Sequence, residues 1–120
     1  MTEQELFLRW SEKAVEDADL AAELASIQGK EEEIFDRFYT SLKFGTAGLR
    51  GVLGAGTNRM NIYTVRQATQ GMANHLNDTC KNPTAAIAYD SRNKSELFAK
   101  ETAAVFAANG IMALKLRVEP

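Results

Sequence analysis

Apolar residues in the first 43 positions recur at the three- and four-residue spacing of amphipathic helices. One such pattern covers residues 6–27 and predicts either a single helix or two shorter ones, with a stop near Gly29. A second pattern covers residues 34–42 and follows three glutamates at 31–33, whose charge suits the positive end of a helix dipole. The amino-terminal segment is therefore predicted to be helical.

The clearest helical pattern of the chain runs over residues 62–76, where the three-and-four spacing persists for several turns. Asn58 or Asn61 is available as the residue that caps its amino terminus. Gly71 lies inside this pattern, where glycine costs up to about 1 kcal/mol relative to alanine. We therefore expect another backbone to approach the helix closely at Gly71.

The remaining pattern predicts a strand, a helix and a second strand. The run TAAIAYD at residues 84–90 is short and apolar, residues 97–109 have helical spacing, and Gly110 is placed to end that helix. From residue 111 the pattern alternates, as in a strand with one buried face. The alternation puts Met112, Leu114, Leu116 and Val118 on one face and Lys115 and Arg117 on the other.

This order predicts an α/β fold with a parallel sheet and a right-handed crossover, in which ligands bind beyond the carboxyl ends of the strands. The chain divides by pattern into a helical extension at residues 1–43 and an α/β segment at residues 44–120. No helix follows the last strand to cover the other side of the sheet. We therefore expect an incomplete domain, whose open edge strand at residues 111–118 could pair artificially with a second copy.

Composition narrows the classes of function. With 45% apolar residues, 25% charged residues and a net charge of −2, the chain has no broad basic field for nucleic acid, so any anion must be held by local donors. Cys80 is the only cysteine, which favours a cytoplasmic setting. The sequence shows neither a signal-peptide pattern nor an apolar run of the roughly 20 residues that span a membrane, so we expect no membrane association.

The stretch FGTAGLRGVLGAGTNR at residues 44–59 holds five of the eight glycines and two arginines. It does not match a P-loop, because Gly56 is followed by threonine and asparagine rather than by lysine and a hydroxyl residue. It does not match a dinucleotide fingerprint either, because the third glycine would have to stand at Arg59. Both nucleotide-binding interpretations are excluded.

Two interpretations of this stretch stay open. Its backbone amides could converge on an anion while Arg50 supplies a planar fork of donors, or the glycines could simply form tight turns beside an exposed arginine. Arg92, after the first predicted strand, is a second cation that could meet the same anion. Asp90 is interpreted as a turn or cap residue, and two further arginines, Arg59 and Arg66, are weaker candidates.

The other polar residues that could form a metal site or a nucleophile are better interpreted as surface or capping residues. Asp17 and Asp19 would diverge at helical spacing, so we expect a solvated face rather than a metal site. His75 has no second histidine or cysteine pair near it in sequence and is expected at the surface or at a cap. No serine or threonine stands in a recognisable nucleophile motif.

Three ordered segments resemble the amino-terminal part of the α-D-phosphohexomutases: FGTAGLRG, GTNRMNIYTVRQATQG and AIAYDSRNKSELFAKETAAVFAANGI. The resemblance begins near Phe35 and is strongest to the phosphoglucomutase and phosphomannomutase branch, which includes phosphopentomutases and begins with extra helices. It implies part of a three-layer α/β/α first domain with a mixed sheet, preceded by amino-terminal helices.

The resemblance also implies an activity. Enzymes of this family interconvert hexose 1-phosphates and hexose 6-phosphates through a phosphoserine, a hexose 1,6-bisphosphate intermediate such as glucose 1,6-bisphosphate, and bound Mg²⁺. Thr46, Gly48 and Arg50 would bind substrate or bisphosphate, with Arg50 stabilising charge on the phosphoryl group and Arg92 a weaker contact.

Several parts of the family's pattern are absent from these 120 residues, namely the serine loop, the three-aspartate metal loop, the sugar-selecting loop and the last phosphate-binding loop. We therefore expect an inactive portion of a longer intramolecular phosphotransferase, with sugar phosphates and the remaining domains of the same parent chain as its partners. The alternative is a self-contained α/β module that binds a phosphate ligand without chemistry. Glucose is the expected sugar, and mannose and pentose phosphates remain open.

Overall fold

The computed structural model of the chain describes residues 1–45, 48–49, 51–90 and 94–118. The chain forms two compact units, Met1–Thr64 and Val65–Pro120. Within the described residues, no helix is long and apolar enough to cross a membrane. The predicted division at residues 43 and 44, which was drawn from sequence pattern, stays a prediction.

The amino-terminal segment contains three helices, α1 (Glu3–Lys13), α2 (Ala18–Ser26) and α3 (Glu31–Phe38). The first pattern thus forms two helices, and the break between them is fixed by Asp17, whose Oδ1 accepts the backbone N–H groups of Asp19 and Leu20 at 3.0 and 3.3 Å. Asp17 is therefore a cap and not part of a continuous helical face.

The third helix is shorter than its pattern predicts. It ends at Phe38, whereas the apolar stripe continued to Leu42. The backbone N–H of Leu42 donates to the carbonyl oxygen of Thr57 at 2.8 Å, so that donor is committed to a distant loop and not to a helical turn. A tertiary hydrogen bond overrides the local pattern here.

The three helices enclose the core of the first unit. Trp10 lies at its edge and makes edge-to-face contacts with Phe38 and Tyr63, at ring-centroid distances of 5.7 and 5.4 Å. The buried members of this core are Phe7, Ala14, Leu20, Leu24, Ile27, Ile34, Phe38 and Ala55. Ala55 belongs to the glycine-rich stretch, so that stretch packs into the helical core.

The glycine-rich stretch begins with a short antiparallel hairpin, β1 (Phe44–Gly45) and β2 (Gly48–Leu49). A single bridge between Leu53 and Met60 follows, and then helix α4 (Ile62–Thr79) begins. Asn61 caps α4, because its Oδ1 accepts the backbone N–H groups of Tyr63 and Thr64, both at 3.0 Å. The predicted helix and one of its two predicted caps are confirmed.

The second unit contains the predicted strand, helix and strand. They are β3 (Thr84–Tyr89), α5 (Ser95–Ala108) and β4 (Met112–Arg117), and Gly110 has a left-handed φ of +75° after α5. The two strands pair in parallel, with Thr84 opposite Met112 and Tyr89 opposite Arg117. The α/β prediction is confirmed, although the antiparallel and parallel pairs form two separate two-stranded sheets within the described residues.

The parallel sheet has one covered face and one bare face. On the covered face, Ala85, Ile87 and Ala113 pack with residues of α4 and α5 around Phe106 and Ile111. The bare face carries the side chains that the alternating pattern placed in the interior, at exposures of 75% for Met112, 61% for Leu114, and 49% for both Leu116 and Val118. The expectation that this apolar face of β4 is buried is wrong for the described chain.

The expected close approach at Gly71 is also wrong. A Cβ atom built on Gly71 meets no described atom within 4 Å, so no neighbouring backbone requires glycine at this position. Ala73, two residues further along α4, is fully buried and forms the contact with the core of the unit.

Replacing Gly71 with alanine should therefore stabilise the chain. Gly71 lies within α4 with open space around it, and alanine is favoured over glycine in a helix by up to about 1 kcal/mol. Thermal or urea unfolding of Gly71→Ala measures the gain. Gly110→Ala is the matched control, because a left-handed φ of +75° should make the same change destabilising there.

Candidate functional site

Three of the four predicted phosphate-binding residues, Thr46, Gly48 and Arg50, belong by sequence to the glycine-rich stretch, and the fourth, Arg92, follows β3. Gly48 is described as part of β2, where it pairs with Gly45 of β1. Thr46 and Arg50 lie outside the described residues, as does Arg92 after β3. Their assignment to a phosphate site stays a prediction, and the structure describes the residues that precede and follow them in sequence.

The base of the hairpin is fixed on both sides. Before β1, the backbone N–H of Leu42 donates to the carbonyl oxygen of Thr57 at 2.8 Å. After β2, the backbone N–H of Met60 donates to the carbonyl oxygen of Val52 at 2.8 Å, and that of Gly54 donates to the carbonyl oxygen of Met60 at 3.2 Å. Residues 51–61 thus form a support that is hydrogen-bonded within itself directly after the hairpin and is hydrogen-bonded to Leu42 before it.

Gly56 shows why this support needs glycine. Its φ of +128° is a conformation that side chains disfavour, and a Cβ atom there would lie 2.6 Å from the carbonyl oxygen of Arg37 and 2.7 Å from its Cβ. The glycine therefore allows the loop to lie directly against the end of α3. Glycine is needed here for a structural reason, because the backbone of the loop lies close to a helix and not to a ligand.

Asn61 connects the same support to the start of α4. Its side-chain amide donates to the carbonyl oxygens of Gly54 at 2.8 Å and Gly56 at 3.1 Å, while its Oδ1 caps the helix. The neighbouring Thr64 hydroxyl donates to the carbonyl oxygen of Arg59 at 2.8 Å. Asn61 is only 2% exposed. The loop and the start of the helix are therefore joined by a buried side chain whose amide nitrogen and oxygen are both hydrogen-bonded.

The two weaker arginine candidates make contacts inside the protein. Arg59 is buried, forms an ion pair with Asp36 and donates to the carbonyl oxygen of Asn58 at 3.1 Å. Arg66 pairs with Glu101, with 2.8 Å between Nε and Oε2. These contacts support the structural interpretation of both residues.

The remaining polar candidates have local roles. The backbone N–H of Asp90 donates to Oγ of Ser95 at the start of α5, which agrees with a turn at the end of β3. His75 is exposed near the end of α4, and its carbonyl oxygen accepts the hydroxyl of Thr79. Across residues 1–45, 48–49, 51–90 and 94–118, no group of three or more His, Cys, Asp or Glu side chains could hold a metal ion.

Glu23 and Arg37 were not singled out in the sequence, yet both contact the glycine-rich stretch. Glu23 accepts the backbone N–H of Ala55, which is 32 residues away, and Arg37 donates to the carbonyl oxygen of Ala55, which is 18 residues away. In sequence they are ordinary charged residues of amphipathic helices. The single available signal was that Arg37 lies four residues after Glu33, a spacing at which helical side chains can pair.

Comparison with known proteins identifies a family whose first domain matches this part of the sequence. The family model described as phosphoglucomutase/phosphomannomutase, alpha/beta/alpha domain I, matches residues 41–120. The match therefore includes the hairpin, its support and the β3–α5–β4 unit. A search of solved structures found no match.

Curated relatives agree with the family model. The chain is 42% identical over 84 residues to a phosphoglucomutase of Staphylococcus saprophyticus, covering 70% of the chain and 15% of that protein. It is 51% identical over 72 residues to a probable phosphoribomutase of Schizosaccharomyces pombe, covering 56% of the chain and 12% of that protein. A phosphoglucomutase of Staphylococcus aureus strain MRSA252 is 43% identical over 75 residues, which is 62% of the chain and 14% of that protein.

The matched segments thus span about one seventh of the length of the curated relatives. The family model, in contrast, covers two thirds of the chain, since it matches residues 41–120 of 120. Its alpha/beta/alpha description agrees with helices packed on a parallel sheet, and it confirms the resemblance found in the sequence. The chain belongs to the phosphoglucomutase/phosphomannomutase family and contains sequence of its alpha/beta/alpha domain I.

Proposed function

We propose that this chain is the amino-terminal portion of a cytoplasmic phosphosugar mutase that interconverts hexose 1-phosphate and hexose 6-phosphate. The observation that carries the proposal is the family match across residues 41–120, which includes the FGTAGLRG stretch. Relatives named as phosphoglucomutases support glucose as the sugar, and the relative named as a probable phosphoribomutase keeps a pentose phosphate open.

In this proposal Arg50 stabilises the phosphoryl group during transfer. Phosphoryl transfer requires mainly positioning and charge stabilisation, which a guanidinium group supplies through its planar donors. Thr46 and Gly48 would contribute contacts from the hairpin, and Arg92 a weaker one. The phosphoserine that exchanges its phosphoryl group with the sugar, through glucose 1,6-bisphosphate, would come from another part of the parent protein.

Mg²⁺ would likewise be bound outside this chain. Oxygen ligands such as carboxylates hold Mg²⁺ in proteins, and the described residues provide no cluster of acidic side chains for it. The residues described here therefore do not fit a magnesium site. The proposed contribution of this chain is to bind and orient the phosphate groups of the sugar, through Arg50, Thr46 and Gly48 and more weakly through Arg92.

The bare face of the β3–β4 sheet supports the proposal that further polypeptide of the same protein packs here. In the parallel register Ala86 lies opposite Leu114 and Ala88 opposite Leu116, so small residues of β3 flank large apolar residues of β4. An exposed apolar sheet face of this kind is typical of a protein contact. The family description names helices on both sides of the sheet, which makes the remaining domain the proposed occupant.

Removal of the Arg50 side chain should strongly impair the full-length enzyme. If Arg50 stabilises the phosphoryl group in transfer, Arg50→Ala should lower kcat for glucose 1-phosphate by about 100-fold or more while leaving the fold intact. Coupled-assay kinetics and thermal unfolding measure the two effects. Arg9→Ala is the matched control, because Arg9 is an exposed arginine of α1.

The same experiment separates the mutase from a non-catalytic phosphate-binding module. A full-length Arg50→Ala enzyme with normal turnover would exclude the role given to Arg50, and an inactive wild-type protein would exclude the mutase proposal. Titration of the 120-residue chain with glucose 1-phosphate adds a second criterion. Millimolar or weaker binding fits a partial site, whereas micromolar binding would favour the self-contained module.

The proposed covering of the sheet can be tested by thiol labelling in a Cys80→Ser background. Leu114→Cys should react rapidly in the 120-residue chain and at least about tenfold more slowly in the full-length protein, because labelling there requires local opening. Lys100→Cys, on the exposed side of α5, is the control and should react equally in both. Equal labelling of Leu114→Cys with unchanged monomer mass would contradict the proposal, and slower labelling only at high concentration would indicate artificial dimerisation instead.

A further inference from the structure

Both backbone polar groups of one residue of the glycine-rich support, Ala55, are bound by an ion pair from the amino-terminal helices. Oε2 of Glu23 accepts the backbone N–H of Ala55 at 2.7 Å, and Nη1 of Arg37 donates to the carbonyl oxygen of Ala55 at 3.0 Å. The same Nη1 lies 3.1 Å from Oε1 of Glu23. The Glu23 carboxylate, the Arg37 guanidinium and the backbone of Ala55 thus form a closed ring of contacts. We call this arrangement the Ala55 clamp.

The Ala55 clamp is partly buried, and the side chain of Glu23 is its most exposed member at 32%. Ala55 is 0% exposed, and the side chain of Arg37 retains 12% of its exposure. A second carboxylate, that of Glu33, accepts from Nε of Arg37 at 3.0 Å. Arg37 therefore uses separate nitrogen atoms for Glu33 and for Ala55, an arrangement that suits a rigid guanidinium and not the single ammonium of lysine.

The end of α3 binds the following residues of the same support. The backbone N–H of Asn58 donates to the carbonyl oxygen of Arg37 at 2.9 Å, and the Asn58 side chain donates to the carbonyl oxygen of Asp36 at 3.1 Å. Asp36 also pairs with Arg59. Residues 55–59 are consequently held to α3 by backbone and side-chain contacts together.

These contacts continue to the hairpin that precedes them. Thr57 accepts the N–H of Leu42 before β1, and Met60 donates to Val52 after β2. A Cβ atom on Gly51, the residue that follows Arg50, would lie 2.6 Å from Cδ1 of Leu42, so the two ends of the hairpin also approach each other closely. The position of the hairpin base therefore depends on residues 52–60, whose own position depends on α2 and α3.

We propose that Glu23 and Arg37 are positioning residues for the phosphoryl-transfer site, acting through the Ala55 clamp on the hairpin that carries Arg50. This inference rests on the proposed mutase function. A catalytic group displaced by about 1 Å can lose about 100-fold in rate, so a clamp remote from the sugar can control turnover. Under this proposal α2 and α3 position the site through these two side chains.

The first test compares the clamp with the apolar core of the same helix in the full-length enzyme. Arg37→Ala should lower kcat by about 10- to 100-fold and leave KM for the sugar phosphate within about threefold, because the lost interaction acts in the transition state. Ile34→Val is the matched control, since Ile34 is a fully buried residue of α3 that makes no clamp contact. It should lower thermal stability without lowering kcat.

The second test uses variants that keep the charges. In the double variant Glu23→Arg with Arg37→Glu, an ion pair can form again, but a guanidinium then faces the Ala55 N–H and a carboxylate faces its carbonyl oxygen. The proposal predicts no recovery of kcat in this double variant. Arg37→Lys should recover part of the loss seen in Arg37→Ala, because an ammonium can still donate to the carbonyl oxygen of Ala55.

The third measurement does not depend on activity. Hydrogen exchange of the Ala55 and Asn58 amides should become faster in Arg37→Ala and stay unchanged in Ile34→Val, when both are compared well below their unfolding temperatures.

Each outcome decides the matter. Wild-type kcat in folded Arg37→Ala, or full recovery in the charge-swapped variant, would overturn the positioning role. An inactive wild-type enzyme would instead overturn the proposed function, and the amide exchange would then still report whether the Ala55 clamp holds the loop. Should Arg37→Ala fail to fold, Glu23→Gln and Arg37→Lys carry the same comparison, and wild-type kcat together with unchanged amide exchange in both would overturn the proposal.

Discussion

The first unit depends on the hydrogen bonding of a buried loop backbone. Ala55 lies in the helical core with no exposure, and a residue whose backbone is removed from water must find partners for both its N–H and its carbonyl oxygen. No neighbouring strand supplies them to Ala55. Glu23 and Arg37 do, from two different helices, and no buried side-chain nitrogen or oxygen among the described residues lacks a hydrogen-bond partner. These hydrogen bonds offset the cost of burying the loop backbone, so Ala55 can be part of the core.

Because of these contacts, the amino-terminal helices and the glycine-rich stretch form one packed unit. By sequence pattern they form an extension of residues 1–43, and the family model begins at residue 41. In the structure the compact unit continues to Thr64, because the loop after the hairpin fills the space beside α2 and α3. The division at residue 43 stays a prediction from sequence pattern, and the packed unit of the structure extends to Thr64. The helices and the glycine-rich stretch are expected to fold together.

Sequence reasoning succeeded where the decisive interaction is local. Asn61 caps α4 through residues two and three positions away, and Gly110 ends α5 through its own φ angle, so both could be found by spacing. In the Ala55 clamp, by contrast, Ala55 is separated in sequence from Arg37 by 18 positions and from Glu23 by 32 positions. The periodicity of α2 and α3 does not distinguish either charged residue from a solvated one. The phosphate-site assignment came from the family resemblance, because composition and spacing left a phosphate loop and a pair of turns equally acceptable.

The error over β4 has a different cause. An alternating pattern reports that one face of a strand is apolar, and it contains no information on which polypeptide covers that face. In the described residues α4 and α5 cover the face of Ala85, Ile87 and Ala113, while Leu114 and Leu116 stay exposed. A family domain with helices on both sides of its sheet reconciles the two observations. The apolar pattern of β4 then matches a complete three-layer domain, in which a second helical layer would cover Leu114 and Leu116.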